Sequence, residues 1–288
     1  MAARVPRDPV DKILSVHGIN APWTPLPATG VANRIYATDE IVLRIATDHP
    51  DAVVDARTES VAAPAAFAVG VLTPRLLVFD DSRAVIDRPY SIWERIHAET
   101  LGLAQLGEDQ RNAVWLQVGT ELSRLHSEVA SCPDPNGYLE NTERDLDLDA
   151  LLETLIESGN ADAANTGAVR RLLHDLRPHM TGNHAQCFVH NDVHEMNVMC
   201  SRQGDLRAIL DWGDAGWGDP TLDFAVVPLN RLSATLAGYG ESNVKRLGEK
   251  PEVRFIWDRL HNAIENAIES ATNRIPVEEY RRFLDSVA

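Results

Sequence analysis

Lysine is scarce in this chain of 288 residues. It occurs only at Lys12, Lys245 and Lys250, and arginine supplies the other basic charges. A phosphate-binding loop of the GxxxxGK[ST] type requires a lysine after its last glycine, and the sequence contains no such motif. The P-loop nucleotide hydrolases are therefore excluded.

Cysteines and long apolar runs are also few. Cys132, Cys187 and Cys200 lie far apart and form no CxxC pair, which argues against a disulfide framework and a cysteine zinc site. The longest uncharged apolar run, residues 61–72, has 12 residues and contains a proline, so it is too short to cross a bilayer. The first residues carry no apolar signal segment. We therefore expect a cytoplasmic protein.

The chain is strongly acidic, with 43 acidic against 27 basic residues and a formal net charge of −16. Nucleic acids and anionic membranes require a basic face, so we expect neither as a partner. Half of the net negative charge lies in residues 134–166, which hold nine acidic residues and one arginine. The charge favours a cationic or metal-bound partner.

The elements change character along the chain, from strand-rich to helical. Before residue 97 the patterns predict a short helix capped by Asp8, a proline-rich irregular connector, a hairpin over 30–46, a helix over 51–68 and two further strands. Later patterns predict helices over 109–129, 166–180, 251–272 and 276–287, with two short apolar strands, FVHND and LRAILDW. We therefore predict an α+β fold with a small lobe, residues 1–96, a larger lobe, residues 97–288, and a hinge near 93–97.

The densest group of chemically functional residues is the segment His190–Asn197, followed after an apolar strand by Asp211. Asp192 and Asn197 are five residues apart in a tight loop, so their side chains can point at the same space. An aspartate base and two oxygen ligands for Mg²⁺ are what metal-assisted phosphoryl transfer requires. We predict Asp192 as the base and Asn197 and Asp211 as the metal ligands.

A metal-dependent hydrolase is an alternative for the same segment. His190, Asp192 and His194 alternate along the chain, and Asp211 could act as a fourth ligand. Against this alternative, Asn197 and the later Gly-Asp-Pro segment would have no role.

The segments VHNDVHEMNVM and ILDWGDAGWGDPTLDFA resemble the aminoglycoside phosphotransferase (APH) family of protein-kinase-like small-molecule kinases. The family pattern is V-H-G-D-x-H-x-x-N, then an apolar strand ending in Asp, then G-D-P-x-x-D-L-A. The resemblance implies a bilobal kinase-like fold, with an antiparallel N-terminal sheet carrying one helix and a mainly helical C-terminal lobe. It also implies that Asp223 braces the catalytic loop. Asn191 replaces a glycine, and Glu195 and Met196 replace Pro-Gly, which affects loop shape more than chemistry.

The resemblance also suggests residues for a nucleotide, either ATP or GTP. A strand cation paired with a helix glutamate aligns the phosphates in kinases, and Arg44 and Glu59 fit these positions. Gly30 and Asn33 are candidates for the phosphate-covering turn, although the alternative is a plain hairpin turn. The backbone from Glu94 to Ile96 is the candidate adenine site.

The acceptor is less constrained by the sequence. The family and the acidic segment favour an aminoglycoside or a similar cationic antibiotic, bound in part by Asp145, Asp147 and Asp149. The alternatives are an amino sugar, a macrolide or another small metabolic alcohol, and a solvated acidic surface unrelated to substrate. A catalytically silent binding protein of the same fold is disfavoured because the base and both metal ligands are present. We expect a monomer or a homodimer.

Overall fold

The computed structural model describes residues 8–27, 30–139, 141–180, 186–270 and 274–287. Its N-terminal part is a five-stranded antiparallel sheet in the order β1–β2–β3–β5–β4. The strands are β1 (Thr24–Leu26), β2 (Asn33–Ala37), β3 (Ile41–Ala46), β4 (Leu76–Asp80) and β5 (Tyr90–Glu94).

The central hairpin, β2 and β3, forms where the sequence predicts it. The hydroxyl of Thr38 accepts the N–H groups of Glu40 and Ile41 and closes the turn. The predicted irregular connector is wrong at one point, because Thr24–Leu26 forms β1. Prolines are tolerated there because β1 is an edge strand, and the backbone N–H groups on its solvent side have no neighbouring strand to donate to.

Two helices cover the N-terminal sheet. The helix α1 (Pro9–Val16) is capped by Asp8, whose carboxylate accepts the N–H of Val10, and it packs apolar residues against the sheet. The helix α2 (Ala52–Ala68) is the helix predicted over residues 51–68. Three of its buried alanines, Ala62, Ala63 and Ala66, belong to the same core as the C-terminal part, so α2 joins the sheet to the helical half of the molecule.

The rest of the chain is mainly helical, as predicted. Its helices are α3 (Glu108–Glu128), α4 (Leu148–Glu157), α5 (Ala163–Leu176), α6 (Leu232–Tyr239), α7 (Glu241–Val244), α8 (Pro251–Glu269) and α9 (Val277–Val287). Among the described residues, no helix is both long and apolar enough to span a membrane.

Short strands in this part frame the loops that carry the site. One three-stranded sheet contains β6 (Glu99–Thr100), β9 (Val198–Cys200) and β10 (Leu206–Ile209), and another contains β7 (Asn141–Thr142), β8 (Cys187–Val189) and β11 (Gly216–Gly218). The predicted lobe division at residue 96 falls between β5 and β6.

Two cores support these elements. One joins α2, α3, α6 and the short strands, and the other joins α4, α5, α8 and α9. The backbones of α3 and α6 touch directly, since a Cβ added at Gly119 would lie 1.9 Å from the carbonyl oxygen of Thr235. The helix α4 lies in the acidic segment and was not predicted. It buries Leu148, Leu152 and Leu155 along one face.

Candidate active site

The segment between β8 and β9 forms a loop held at its base by Asp223. One carboxylate oxygen of Asp223 accepts the N–H of His190 at 3.1 Å, and the other accepts the N–H of Asn191 at 2.5 Å. Asn191 has a φ of 68°, a left-handed conformation that suits glycine and, among other residues, asparagine. This explains why Asn can replace the glycine of the family pattern.

Asp223 is fully buried and is itself held by α3. The Nε2 of His126 lies 2.7 Å from its carboxylate, and the other ring nitrogen of His126 lies 2.8 Å from the hydroxyl of Tyr239. Burial alone would raise the pKa of Asp223, but the hydrogen bond and charge of His126 outweigh it and lower the pKa. Asp223 therefore stays ionised and keeps the loop in one shape.

The loop brings Asp192 and Asn197 together, as expected from their spacing. The Asn197 amide nitrogen donates to the Asp192 carboxylate at 2.8 Å and to the Asp192 carbonyl oxygen at 3.0 Å. The Nε2 of His194 lies 3.4 Å from the same carboxylate, and this contact raises the pKa of His194 although partial burial lowers it. One carboxylate oxygen of Asp192 is thus oriented, while the amide oxygen of Asn197 has no hydrogen-bond donor among the described residues and could bind a cation.

Arg44 on β3 connects the N-terminal sheet to the end of β10. Its guanidinium lies 2.5 Å from Glu59 of α2 and 3.1 Å from Asp211. Burial lowers the pKa of Arg44, but the charges of Glu59 and Asp211 raise it overall. Burial raises the pKa of Glu59 to about 7 against the opposing charge of Arg44.

Asp211 lies two residues after the end of the short strand β10 and has an unusual backbone. Its φ is 65°, a conformation that costs free energy for a residue other than glycine and is often found at functional sites. Burial raises the pKa of Asp211, but the charge and hydrogen bond of Arg44 lower it overall. The structure therefore places a predicted metal ligand against the predicted phosphate-binding pair.

Two further carboxylates, Asp55 and Asp214, lie at this cleft and were missed by sequence reasoning. Burial, then the charges of Asp214 and Asp211, raise the pKa of Asp55 to about 6. Asp214 is exposed, yet partial desolvation and the charges of Asp192 and Asp211 raise its pKa to about 6 as well. We call Asp55, Asp192, Asp211 and Asp214 the cleft carboxylates. The spacing of Asp55 four residues before Glu59 was the one signal that could have indicated it.

A second charged group, buried beneath the acidic segment, is fully paired. Arg144 lies 2.9 Å from Asp219 and 2.6 Å from Asp258, and Arg254 lies 2.9 Å from Asp219. We call these four residues the buried charge network. It ties β7, the residues after β11 and α8 into one unit, so it fixes the position of the segment that leads into α4.

The other predicted nucleotide-binding residues lie at the rim of the N-terminal sheet. Gly30 is exposed and a Cβ there would meet nothing within 4 Å, so the structure shows no need for glycine. Asn33 begins β2 and pairs with Ala46. In the hinge, the Glu94 N–H donates to the Arg75 carbonyl, whereas the Ile96 N–H has no partner among the described residues.

The three aspartates predicted to bind the acceptor each have a local role. Asp147 caps α4 by accepting the N–H of Ala150, and Asp145 accepts the N–H of Asp147. Asp149 pairs with Arg177, the residue after α5, at 2.5 Å. Within the part of the chain that the structure describes, no contact joins them to the catalytic loop, and their role toward an acceptor stays a prediction.

The hydrolase alternative fails on His190. This residue is fully buried, its Nδ1 accepts the Asp192 N–H at 3.2 Å, and its Nε2 lies 2.9 Å from the Leu210 carbonyl oxygen. Both ring nitrogens are therefore occupied and neither can bind a metal. Over the described ranges, no group of three or more His, Cys, Asp or Glu side chains is arranged to hold a metal ion.

Solved structures of the same fold cover nearly the whole chain. The GDP complex of a mutant aminoglycoside 2'-phosphotransferase-IIIa aligns with a TM-score of 0.69 at 16% identity, over 96% of each chain. A choline/ethanolamine kinase family protein from Mesorhizobium loti aligns with a TM-score of 0.63 at 18% identity, over 96% of this chain and 90% of its own. Spectinomycin phosphotransferase, in complex with ADP and spectinomycin, aligns with a TM-score of 0.65 at 14% identity, over 96% of this chain and 93% of its own.

At these identities the likeness shows the fold, and it confirms the predicted kinase-like bilobal arrangement of small-molecule phosphotransferases. The model of the APH phosphotransferase enzyme family matches residues 23–258. The chain therefore belongs to the APH phosphotransferase enzyme family and is a small-molecule phosphotransferase. A search of curated proteins found no match to the chain.

Proposed function

We propose that the protein transfers the γ-phosphoryl group of ATP, with GTP as an alternative donor, to a hydroxyl of a small cationic molecule in a Mg²⁺-dependent reaction. One observation carries the proposal. Asn197 orients the base candidate Asp192, and the carbonyl oxygen of Asn197 accepts the N–H of Leu210 at 2.8 Å, next to Asp211, which Arg44 contacts from the N-terminal sheet.

The nucleotide assignment is supported by charge and by the free hinge amide. Arg44 contacts both α2 and the end of β10, which is where kinases place the cation that aligns the phosphates. The N–H of Ile96, which has no partner in the described ranges, suits a purine edge. Structures of the same fold are complexes with GDP and with ADP.

The donor set fits Mg²⁺. The oxygens of Asn197 and Asp211 are hard ligands, and two protein ligands suffice because Mg²⁺ keeps several waters and binds substrate phosphates. Burial, and after it the charges of neighbouring carboxylates, raise the pKa values of Asp55 and Asp214, and a bound cation would oppose both effects. When bound, the ion would supply charge neutralisation for the phosphates.

The chain's own residues then have defined tasks. Asp192 orients the acceptor hydroxyl and takes its proton as the oxygen–phosphorus bond forms and the bond to the nucleoside diphosphate breaks. Asn197 fixes the carboxylate for this step, and Arg44 holds the phosphates. Catalysis rests on positioning and charge, as in other phosphoryl transfers.

For the acceptor we propose an aminoglycoside or a similar cationic antibiotic. The net charge of −16 favours a cation. Proteins of the same fold are named for aminoglycosides, spectinomycin and choline or ethanolamine, and these compounds are cations at neutral pH. An amino sugar and a macrolide remain the alternatives.

A screen for acceptor-dependent ADP or GDP release tests the proposal. Aminoglycosides, macrolides, peptide antibiotics and amino sugars are offered with ATP or GTP, with Mg²⁺ or with a chelator. We expect turnover with a cationic acceptor, its loss with the chelator, and a loss of about 100-fold to 10,000-fold in Asp192→Asn with nucleotide binding kept. Turnover by Asp192→Asn at the wild-type rate would contradict the mechanism, and turnover of neutral acceptors alone would contradict the charge argument.

A further inference from the structure

Glu195 and Met196 are the residues of the catalytic loop that depart most from the family pattern and that the proposed reaction leaves without a task. Both contact the segment Thr100–Ala104, which leads from β6 into α3. This segment follows the hinge, so the contact joins the nucleotide side of the cleft to the loop that carries Asp192.

The backbones of the two segments are hydrogen-bonded side by side. Thr100 pairs with Met199 in the β6–β9 ladder, the Leu101 N–H donates to the Val198 carbonyl at 2.7 Å, and the Gly102 N–H donates to the Glu195 carbonyl at 3.0 Å. The ladder therefore continues past β9 into the catalytic loop itself.

A single guanidinium holds both segments. From the first turn of α3, Arg111 donates to the carbonyl oxygens of Leu101 at 3.1 Å and Ala104 at 2.9 Å, and it lies 3.3 Å from the Glu195 carboxylate. The side chains of Arg111 and Glu195 are 19% and 35% exposed, so solvent screens this pair only in part.

The Met196 side chain occupies the space above Gly102. A Cβ added at Gly102 would lie 2.5 Å from the Met196 sulfur and 3.6 Å from the Glu195 Cβ. The Thr100 hydroxyl donates to the same sulfur at 3.9 Å. Met196 directly precedes Asn197, whose amide orients the Asp192 carboxylate.

We propose that Arg111, Gly102, Glu195 and Met196 form a clasp that sets the position of Asp192 for phosphoryl transfer. These are positioning residues, because they act on Asp192 through the loop backbone and through Asn197. The inference rests on the proposed function for its catalytic consequence. In this chain the clasp replaces the backbone restriction that Pro-Gly gives in the family pattern.

The first test replaces Arg111 with methionine, which keeps the volume and removes the donors. We expect kcat to fall about 10- to 100-fold, because a displacement of about 1 Å in a reacting group can lower the rate about 100-fold. The KM for nucleotide should change less than about twofold. Arg124→Met is the matched control. Arg124 lies on the same helix and likewise contacts a glutamate, Glu121 at 2.8 Å, and a carbonyl oxygen, that of Gly70 at 2.9 Å, and its loss should leave kcat unchanged.

The second test uses the close contact. Gly102→Ala should displace Met196 and lower kcat several-fold, and the double variant Gly102→Ala/Met196→Ala should recover part of that loss because the clashing atoms are gone. If Gly102→Ala and Met196→Ala lower kcat independently of each other, the clasp does not position Asp192. The same conclusion follows if Arg111→Met and Arg124→Met have the same kcat.

A measurement without turnover separates this proposal from the proposed function. Hydrogen exchange in peptides covering residues 98–106 and 190–197 should accelerate in Arg111→Met and stay unchanged in Arg124→Met. If no acceptor is turned over by the wild-type protein, the proposed function fails while the exchange data still test the clasp. Unchanged exchange in Arg111→Met overturns the clasp itself.

Discussion

The cleft carboxylates and the buried charge network differ in how their negative charges are balanced. In the network, Asp219 contacts both Arg144 and Arg254, and their charges lower its pKa although burial raises it. Asp258 contacts Arg144 alone, and burial raises its pKa. Asp219 thus has a second arginine contact and the N–H of Thr221, both of which lower its pKa, whereas the more deeply buried Asp258 has one arginine.

The cleft carboxylates also differ in their arginine contacts, and the cleft has too few cations to pair them all. Asp211 touches Arg44 and its pKa is lowered, whereas no arginine or lysine of the described residues contacts Asp55 or Asp214, whose pKa values rise to about 6. In the buried charge network each aspartate contacts at least one arginine. The cleft has more carboxylates than cations, which is the condition for binding a metal ion or a cationic group.

The largest effect is expected from breaking the network. Arg144→Met leaves Asp219 with one arginine and Asp258 with none, and removing one partner of a buried ion pair costs about 3–5 kcal/mol. We expect the Tm to fall by about 10 °C. Arg207→Met, which removes an exposed pair with Asp205, should change stability by less than about 0.5 kcal/mol. Equal losses in the two variants would show that the network is not structurally important.

The next effect concerns the cleft. Asp211→Asn removes the carboxylate that Arg44 contacts. We expect the apparent affinity for Mg²⁺ in turnover to fall at least about 100-fold, because losing a residue that only contacts a metal ligand already lowers metal affinity about 10- to 100-fold. The thermal shift caused by Mg²⁺ and nucleotide should also be lost. Asp205→Asn, an exposed substitution just before the same strand, is the control, and a wild-type Mg²⁺ titration in Asp211→Asn would contradict the assignment.

A smaller effect depends on pH. The pKa of Asp55 is about 6 in the folded state against 3.8 ordinarily, so the folded protein binds this proton more tightly and its free energy of unfolding falls as pH rises through that interval. Asp55→Asn removes the group. Without metal, it should raise the Tm over wild type by about 2–4 °C near pH 8, which corresponds to ~1 kcal/mol after screening.

The same gain should shrink near pH 5, where Asp55 is largely protonated in the folded protein. Asp214→Asn is expected to behave alike, since its pKa is raised to the same value. Thermal denaturation at the two pH values checks both variants. A gain of equal size at both would mean that the cleft carboxylates do not repel one another.

The smallest effect is expected in the acidic segment, residues 134–166, where one aspartate is paired with an arginine and another is not. Asp149 is paired with Arg177, whereas the Asp145 carboxylate accepts a backbone N–H and contacts no cation among the described residues. Asp145→Asn should therefore raise the KM for a cationic acceptor about twofold to threefold, the size of one exposed charge pair, with the KM for ATP unchanged. Asp149→Asn should have less effect, and the reverse order would contradict this expectation.

The sequence predicts the contact between Asp192 and Asn197 because the two residues are close along the chain. Asp192 and Asn197 meet within one turn of chain, and Asp223 follows in a motif of fixed spacing. Asp55 could not be predicted in the same way. It reaches the cleft because α2 packs against the residues after Asp211, where a Cβ at Gly213 would lie 2.9 Å from the Asp55 Cβ. Only the tertiary structure creates that neighbourhood.

Two elements were missed because their composition concealed their pattern. In α4, buried leucines at Leu148, Leu152 and Leu155 have helical spacing, but the surrounding acidic residues suggested a solvated segment. In β1, prolines suggested an irregular connector, since the sequence does not reveal that the strand lies at a sheet edge. In both cases the deciding fact is which neighbour the segment packs against.

The arginine on β3 has a consequence for covalent inhibitors. No lysine lies between Lys12 and Lys245. The position of Arg44 on β3 therefore lacks the amine that would react with an acylating or sulfonylating reagent. The guanidinium of Arg44 is a poor nucleophile, and Glu59 and Asp211 keep it protonated. Reagents designed to label a strand lysine would therefore find no amine at this position on β3, and a covalent ligand for the cleft would have to react with another group, such as a carboxylate or the imidazole of His194.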